Sequence, residues 1–401
     1  MTIPMEISDL NIDLLVEKNE DGVFTRVLDS PIGTAAAFFH MPFSHNEVES
    51  FTRLVSAPYR PDAGRLDALR DTAKEIGTRL FDALFAGAVG PTFFRSMNYA
   101  YQQRTRLRLR LRISEAPELL RLPWEYLYNA QRDEFIVLSG HTPFCRYVDL
   151  MHQVRPLRVT GPMRTLVIIS SPEGYPPVDA NREWLSFLDT IDVLGVDGRL
   201  IVERMVRPTL FELQRRLRSQ SYHIIHYVGH TTFDAISQYG AIVLEDEQRR
   251  GRPVNGSHLG SVLADHFSLR LAVFHSCSTW QVTPQEPFTN IAYSLVRRGL
   301  PAAVVTPFEM TDRATLAFGF DFYSRIAAGE PVDVALASSR RAMLSDIAGV
   351  EWGGPMLIMR VADGCLFDLT PDAGDKRRSA AVVAGSRHPT SPMSSTQRVQ
   401  R

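Results

Sequence analysis

From Pro162 to Val361, short apolar runs alternate with amphipathic ones, and this alternation constrains the fold more than any other feature of the chain. "TLVIIS" (165–170), "RLIVERMV" (199–206), "YHIIHYV" (222–228), "AIVLED" (241–246), "LRLAVFHS" (269–276), "PAAVVT" (301–306) and "PMLIMRV" (355–361) have strand length and β-forming composition. The stretches 181–195, 209–220, 257–267, 288–299, 312–328 and 331–347 between them carry helical periodicity. Gly195 reads as a helix stop, and Thr209 with Glu212 has the spacing of a capping box. Strands that are apolar nearly throughout are covered on both faces, so the series predicts an α/β fold with a mostly parallel central sheet flanked by helices.

Composition narrows the function classes. The formal net charge is -1, which gives no overall field to draw in nucleic acid or a membrane surface. No run approaches the ~18 apolar residues that span a bilayer. "MTIPMEISDLNIDLL" has no basic n-region, so it does not read as a secretory signal. The cysteines, Cys145, Cys277 and Cys365, are odd in number and far apart, which argues against a disulfide framework and for a cytoplasmic protein with reduced thiols. Residues 370–401 are rich in Ser, Arg and small residues, and their composition predicts a disordered tail. No internal repeat is present in the sequence.

Residues 1–160 differ from the rest and predict a smaller α+β region, with 1–90 of unknown role. "TRLRLRLRI" (105–113) alternates strictly, with Arg104, Arg106, Arg108, Arg110 and Arg112 on one side and leucines on the other. Period two predicts a half-exposed strand whose arginines form a solvated face or, less readily, a basic patch for an acidic partner.

Ligands and reactive groups gather at the carboxyl ends of strands in an open parallel sheet. Two strands here end on chemistry: "YHIIHYV" runs into Gly229-His230, and "LRLAVFHS" into Cys277, 47 residues after His230. An imidazole beside a thiol can take its proton, and the thiolate is then a nucleophile for a carbonyl carbon. The backbone N–H groups of Gly229 and Cys277 are candidate donors to the resulting oxyanion. The plainer readings are a buried small cysteine and a core histidine. His226 and His275 lie inside strands and read as core or supporting residues. His223, His226 and His230 would share a face only on a helix, which their β-branched neighbours oppose, so no metal site is expected. The glycine-rich nucleotide motifs and GxSxG are absent from the sequence.

With those residues in view, "HIIHYVGH", "GAIVLEDE", "LAVFHSCSTW" and "PAAVVTPFEMTDRATLAFGFDFYSRIAAGEPVDVALASSRRAML" resemble the CHAT domain, a caspase-like cysteine peptidase module. "LRLRISEAPELLRLPWEYLYNAQRDEFIVLSGHTPFCRYV" is similar to the N-terminal segment of the same family, with its Leu-Pro-Trp-Glu signature. The resemblance implies a caspase-like sandwich over 161–369 preceded by an N-terminal segment over 91–160, which is a candidate degenerate half. It implies endopeptidase activity on a protein substrate, no cofactor, His230 and Cys277 as the dyad, and a regulatory partner such as a TPR or sensor protein encoded nearby, in a bacterial defence or signalling setting. Relatives with a preference for a basic residue carry an acid two positions before the Cys. Here that position is His275, so Asp312 and Asp234 are the candidate substrate-binding acids, although Asp312 also suits a helix N-terminus. Segments 231–239 and 278–287 are expected to be the loops that order on activation. The rival readings are a caspase-fold scaffold with a vestigial dyad and a Cys-His acyltransferase or other non-proteolytic hydrolase.

Overall fold

The computed structural model describes residues 9–56, 63–113, 116–193, 198–234, 239–276, 287–346 and 349–369. The N-terminal part contributes strands β1 (Leu10–Asn19), β2 (Gly22–Asp29) and β3 (Ala35–Phe38) and helices α1 (His45–Ser56), α2 (Ala63–Leu84) and α3 (Val89–Gln102). After β4 (Leu107–Ile113) and the single turn α4 (Pro117–Leu120) come the small hairpin β5 (Tyr128–Asn129) and β6 (Glu134–Phe135), then β7 (Phe144–Tyr147) and β8 (Leu157–Val159). The alternating series follows: β9 (Met163–Ile169), α5 (Ala180–Val193), β10 (Leu200–Met205), α6 (Leu210–Ser219) and β11 (Ile224–Gly229). Next are β12 (Thr231–Asp234), β13 (Tyr239–Glu245), β14 (Gly251–Asn255), α7 (Gly256–Leu263), β15 (Leu271–Ser276), α8 (Pro287–Arg297) and β16 (Ala302–Thr306). The chain closes with α9 (Asp312–Ala327), α10 (Val332–Asp346), β17 (Met356–Met359) and β18 (Phe367–Leu369).

One sheet runs through both parts in the order β10-β9-β11-β15-β16-β17-β7-β4-β1-β2-β3. It is parallel from β10 to β16, β17 runs antiparallel to β16, and parallel pairing resumes from β17 through β7 and β4 to β1. The expected α/β class with a mostly parallel sheet is therefore present. Alternate residues of the inner strands point to opposite faces, as period two requires. Val167, Ile224, Val228 and Val273 meet α5, α9 and α10, while Ile168, Ile225, Tyr227 and Phe274 meet α6, α7 and α8. "AIVLED" is a strand, but it lies in a separate three-stranded antiparallel sheet, β12-β13-β14.

The arginine strand departs from its expected exposure. Its period is as read, with Leu107, Leu109 and Leu111 in the core, but β4 sits between β7 and β1 and Arg108 is 0 % exposed. Arg108 donates to Asp333 at the start of α10 and to Asp9 and Asn11, while Asp13 accepts from both Arg110 and Arg112. Burial opposes the charge of Arg108, yet Asp333 and Asp9 more than offset it and hold its pKa above the ordinary value. The Leu-Pro-Trp-Glu stretch is anchored to β7 within its own part, and the residue that follows it reaches the second part. Glu125 takes a bidentate pair from buried Arg146 at 2.9 and 2.6 Å, and the Tyr126 hydroxyl donates to the Val350 carbonyl at 3.0 Å.

Candidate active site

In the series β10-β9-β11-β15 the chain lays β10 on one side of β9 and β11 on the other, so a crevice opens above the carboxyl ends of β9 and β11. Three segments meet there: the loop 170–179 after β9, the end of β11 and the end of β15.

His230 follows the last residue of β11. Its ring is 6 % exposed, stacks on Tyr175 with centroids 5.4 Å apart, and places Nε2 2.8 Å from the carbonyl oxygen of Pro176. A carbonyl only accepts, so Nε2 carries the proton, and in the neutral ring Nδ1 holds the lone pair. Burial lowers the pKa of His230, partly opposed by the Pro176 carbonyl, so the ring is neutral at physiological pH. The loop carrying Tyr175 and Pro176 is pinned. Ser171 Oγ accepts from Val178 N–H at 2.9 Å, and Glu173 N–H donates to the Arg249 carbonyl at 2.7 Å. A side chain at Gly251 would run into the Tyr175 ring at 2.3 Å, so the glycine makes room for the residue that stacks on His230.

Gly229 has a local reason of its own. A Cβ there would stand 2.5 Å from the Tyr227 hydroxyl, which passes over it to donate to the carbonyls of His230 at 2.8 Å and Val243 at 2.9 Å. That hydroxyl ties the turn after β11 to β13 and so sets where His230 leaves the sheet.

Gly229 is the direct partner of Ser276 in the parallel ladder of β11 and β15. His230 and Cys277 are the next residues in sequence. Cys277 itself, the side chain of Asp234 and segments 235–238 and 277–286 lie outside the described residues. Of the stretch expected to be a loop, 231–234 forms β12 and Tyr239 begins β13.

The other histidines separate. His223 Nδ1 accepts from the Arg164 N–H at 2.8 Å, and burial lowers its pKa to about 4. His226 Nδ1 lies 2.6 Å from the Tyr323 hydroxyl under α9, and burial, with a smaller contribution from His275, lowers its pKa to about 3. His275 is 6 % exposed, has its pKa lowered to about 4 by burial, and has no hydrogen-bond partner among the described residues. Among those residues no group of three His, Cys, Asp or Glu could hold a metal ion. No described helix is long and apolar enough to cross a membrane.

A cleft of about 600 Å³ opens beside Ser276. Its walls are the loop after β9 (Asp179), α5 (Glu183, Leu185, Ser186, Asp189), His275, the turn after β16 (Glu309, Met310) and the first turns of α9 (Asp312, Thr315, Leu316). Asp312 is exposed on the rim and pairs with Arg182, while Thr311 is the N-cap of α9. Asp179 caps α5, accepting from the N–H groups of Asn181 at 3.2 Å and Arg182 at 3.0 Å. Glu183 and Glu309 were not singled out from the sequence. Glu183 sits in the first turn of a helix, where an acid is expected on dipole grounds alone. Pro176 carried no sequence signal either, because it acts through a main-chain carbonyl.

A family model described as CHAT domain matches residues 74–360. No curated protein matches the chain. Among solved structures it is similar to the Saccharomyces cerevisiae separase in its complex with securin, at 12 % identity and TM-score 0.38 over 78 % of this chain. It spans only 20 % of that separase chain. It is also similar to the Arg-specific cysteine proteinase gingipain R, at 9 % identity and TM-score 0.36 over 69 % of each chain. A third is the Drosophila initiator caspase Dronc, at 11 % identity and TM-score 0.28, over 55 % of this chain and 97 % of that one.

Proposed function

Because the chain belongs to the CHAT domain family, a family of caspase-like cysteine peptidases, we propose that it is a cysteine endopeptidase acting on a protein substrate. The observation that carries the reading is His230. A neutral imidazole, oriented through Nε2–H to the Pro176 carbonyl, stands one residue beyond the Gly229–Ser276 pair. In this reading Nδ1 takes the proton of the Cys277 thiol, and the thiolate sulfur attacks the peptide carbonyl carbon. The N–H groups of Gly229 and Cys277 receive the oxyanion. The imidazolium returns its proton to the leaving amine as the C–N bond breaks, which leaves a thioester. Water then attacks the thioester with His230 as base, and the thiol is regenerated. Asp312 and Asp234 remain candidates for contact with the substrate, and activation by a partner in a bacterial defence or signalling system fits the family.

Thiol chemistry separates this reading from a scaffold role. Cys145 is buried, and burial first, then Asp333, pushes its pKa up; Cys365 is pushed up to about 11 by burial and then Asp363. Neither competes for an alkylating probe near neutral pH. Iodoacetamide titrated against pH should label Cys277 well below the free thiol range of ~8.5, and His230→Ala should abolish that advantage. Cys277→Ala should abolish cleavage. Labelling of Cys277 that is slow and indifferent to His230, with the chain's partner present, would support the scaffold reading instead.

A further inference from the structure

The cleft beside Ser276 holds five carboxyl groups, Asp179, Glu183, Asp189, Glu309 and Asp312, against one cation, Arg182. Two of the five have structural work: Asp179 caps α5 and Asp312 pairs with Arg182. The carboxylates of Glu183 and Glu309 have neither a hydrogen bond nor an ion pair among the described residues. They face each other across the cleft from the α5 side and the β16 side. Glu183 is disfavoured as an anion by burial, and the charges of Asp312, Glu309 and Asp179 add to that, with Arg182 opposing. Glu309 is raised likewise by burial and then Asp312. The half-buried carboxylate of Glu183, set against the exposed one of Glu309, leaves a repulsion that a bound cation would remove.

A second observation is independent of the acids. His275 is 6 % exposed, forms part of the cleft wall, and lacks a hydrogen-bond partner among the described residues. A buried ring nitrogen is ordinarily satisfied, and one left open to a cavity awaits a partner there. The ring is held neutral, so one of its nitrogens accepts. Beneath it, a smaller apolar space lined by Phe187, Val228 and Phe318 closes the floor.

We propose that this cleft receives a guanidinium or ammonium side chain of the substrate, with Glu183 and Glu309 taking its charge and His275 accepting at its inner end. Leu185, Met310 and Leu316 supply apolar wall for the aliphatic stem of such a side chain. Ser276 is part of the cleft wall and directly precedes the proposed nucleophile in sequence, so the residue held is the one whose carbonyl is attacked. The assignment rests on the peptidase reading for that last step, and on the cleft alone for cation binding. It moves the specificity away from position 275, two before Cys277, onto acids contributed by α5 and the turn after β16.

Two measurements keep the two claims apart. Calorimetric titration of the full chain with benzamidine and with acetyl-arginine amide should show binding, and acetyl-leucine amide should show none. Replacing both Glu183→Gln and Glu309→Gln should weaken the cationic ligands at least about tenfold, since each loses a charge-assisted partner. Cationic ligands that fail to bind, or that bind the double variant equally well, would overturn the pocket. In parallel, peptidyl chloromethyl ketones ending in arginine or leucine are scored by mass for alkylation of Cys277. Acid-dependent benzamidine binding without alkylation by either reagent leaves the pocket standing and sinks the peptidase reading. Equal alkylation by both reagents, with no benzamidine binding, does the reverse. Faster alkylation by the arginine reagent, reduced in the double variant, supports both.

Discussion

The charged groups of β4 and those of the cleft beside β15 follow opposite rules. Arg108 and Arg110 are enclosed in the sheet and Arg112 is half-buried beside them, and each has a carboxylate within reach, from Asp9, Asp13 or Asp333. In the cleft, Glu183 is half-buried, Glu309 is exposed and the His275 ring is buried, and none of the three side chains has a partner among the described residues. Burying a charge is tolerable when the partner is built in, and such pairs fix register between distant segments. Leaving the partner out makes sense where it arrives with a ligand. Thus the same physics separates groups that hold the fold from groups that wait for a substrate.

The largest expected effect is at the built-in pairs. Asp333→Ala strands Arg108 without its main counter-charge and should cost ~3–5 kcal/mol in urea unfolding. Replacing Arg108 and Asp333 together by apolar residues should recover most of it. A small loss for Asp333→Ala alone would mean the pairs are dispensable and the contrast false.

Acid comes next. The folded pKa values of His226 and His275, about 3 and about 4, lie below the ordinary 6.5, so folding excludes protons that the unfolded chain binds. Their contribution is complete above pH 6.5 and is lost as pH falls from there to about 4 for His275 and about 3 for His226, each at up to ~1.4 kcal/mol per pH unit. Glu183 and Glu309 act in the contrary sense. Their folded pKa values are raised, so acidification through them relieves the fold. Stability curves of the wild type and the double Gln variant should therefore converge on acidification, as the native carboxylates become neutral.

Gly229→Ala is a smaller test. The new methyl displaces the Tyr227 hydroxyl from two carbonyls, a loss of about 1–3 kcal/mol in unfolding, and Tyr227→Phe should not rescue it, since the ring Cζ lies 2.7 Å from the same position. At the bottom of the scale, Arg182→Ala breaks an exposed pair and should leave the unfolding midpoint where it was.

Much of this architecture was legible. Strands β9, β11, β15 and β16 were readable because both of their faces are buried and largely apolar, whereas β12 and β14 were not read as strands; the helix at 210–219 was readable from its cap, where Thr209 accepts from the Glu212 N–H at 3.1 Å. The Glu212 side chain turns to Arg215 and Arg216, so only half of a capping box forms. The burial of β4 was not legible, since the acids that meet Arg108 and Arg110, Asp9, Asp13 and Asp333, lie 97 to 225 residues away in sequence. His230 could be picked out by its place after a strand. The Pro176 carbonyl that orients it, and the unpartnered state of Glu183 and Glu309, exist only in three dimensions.

The position of β17 bears on how the protein is made. This strand, the last of the main sheet to be synthesised, is the one that joins β16 to β7. On a ribosome adding 5–20 residues per second, the ~200 residues between β7 and β17 take roughly 10–40 s. Throughout that interval the β7 edge of β3-β2-β1-β4-β7 has no strand to pair with, and an unpaired edge recruits other chains. A nascent chain of this kind therefore needs its β7 edge shielded until Met359 has left the exit tunnel, and truncations that stop before Met356 should aggregate rather than fold in halves.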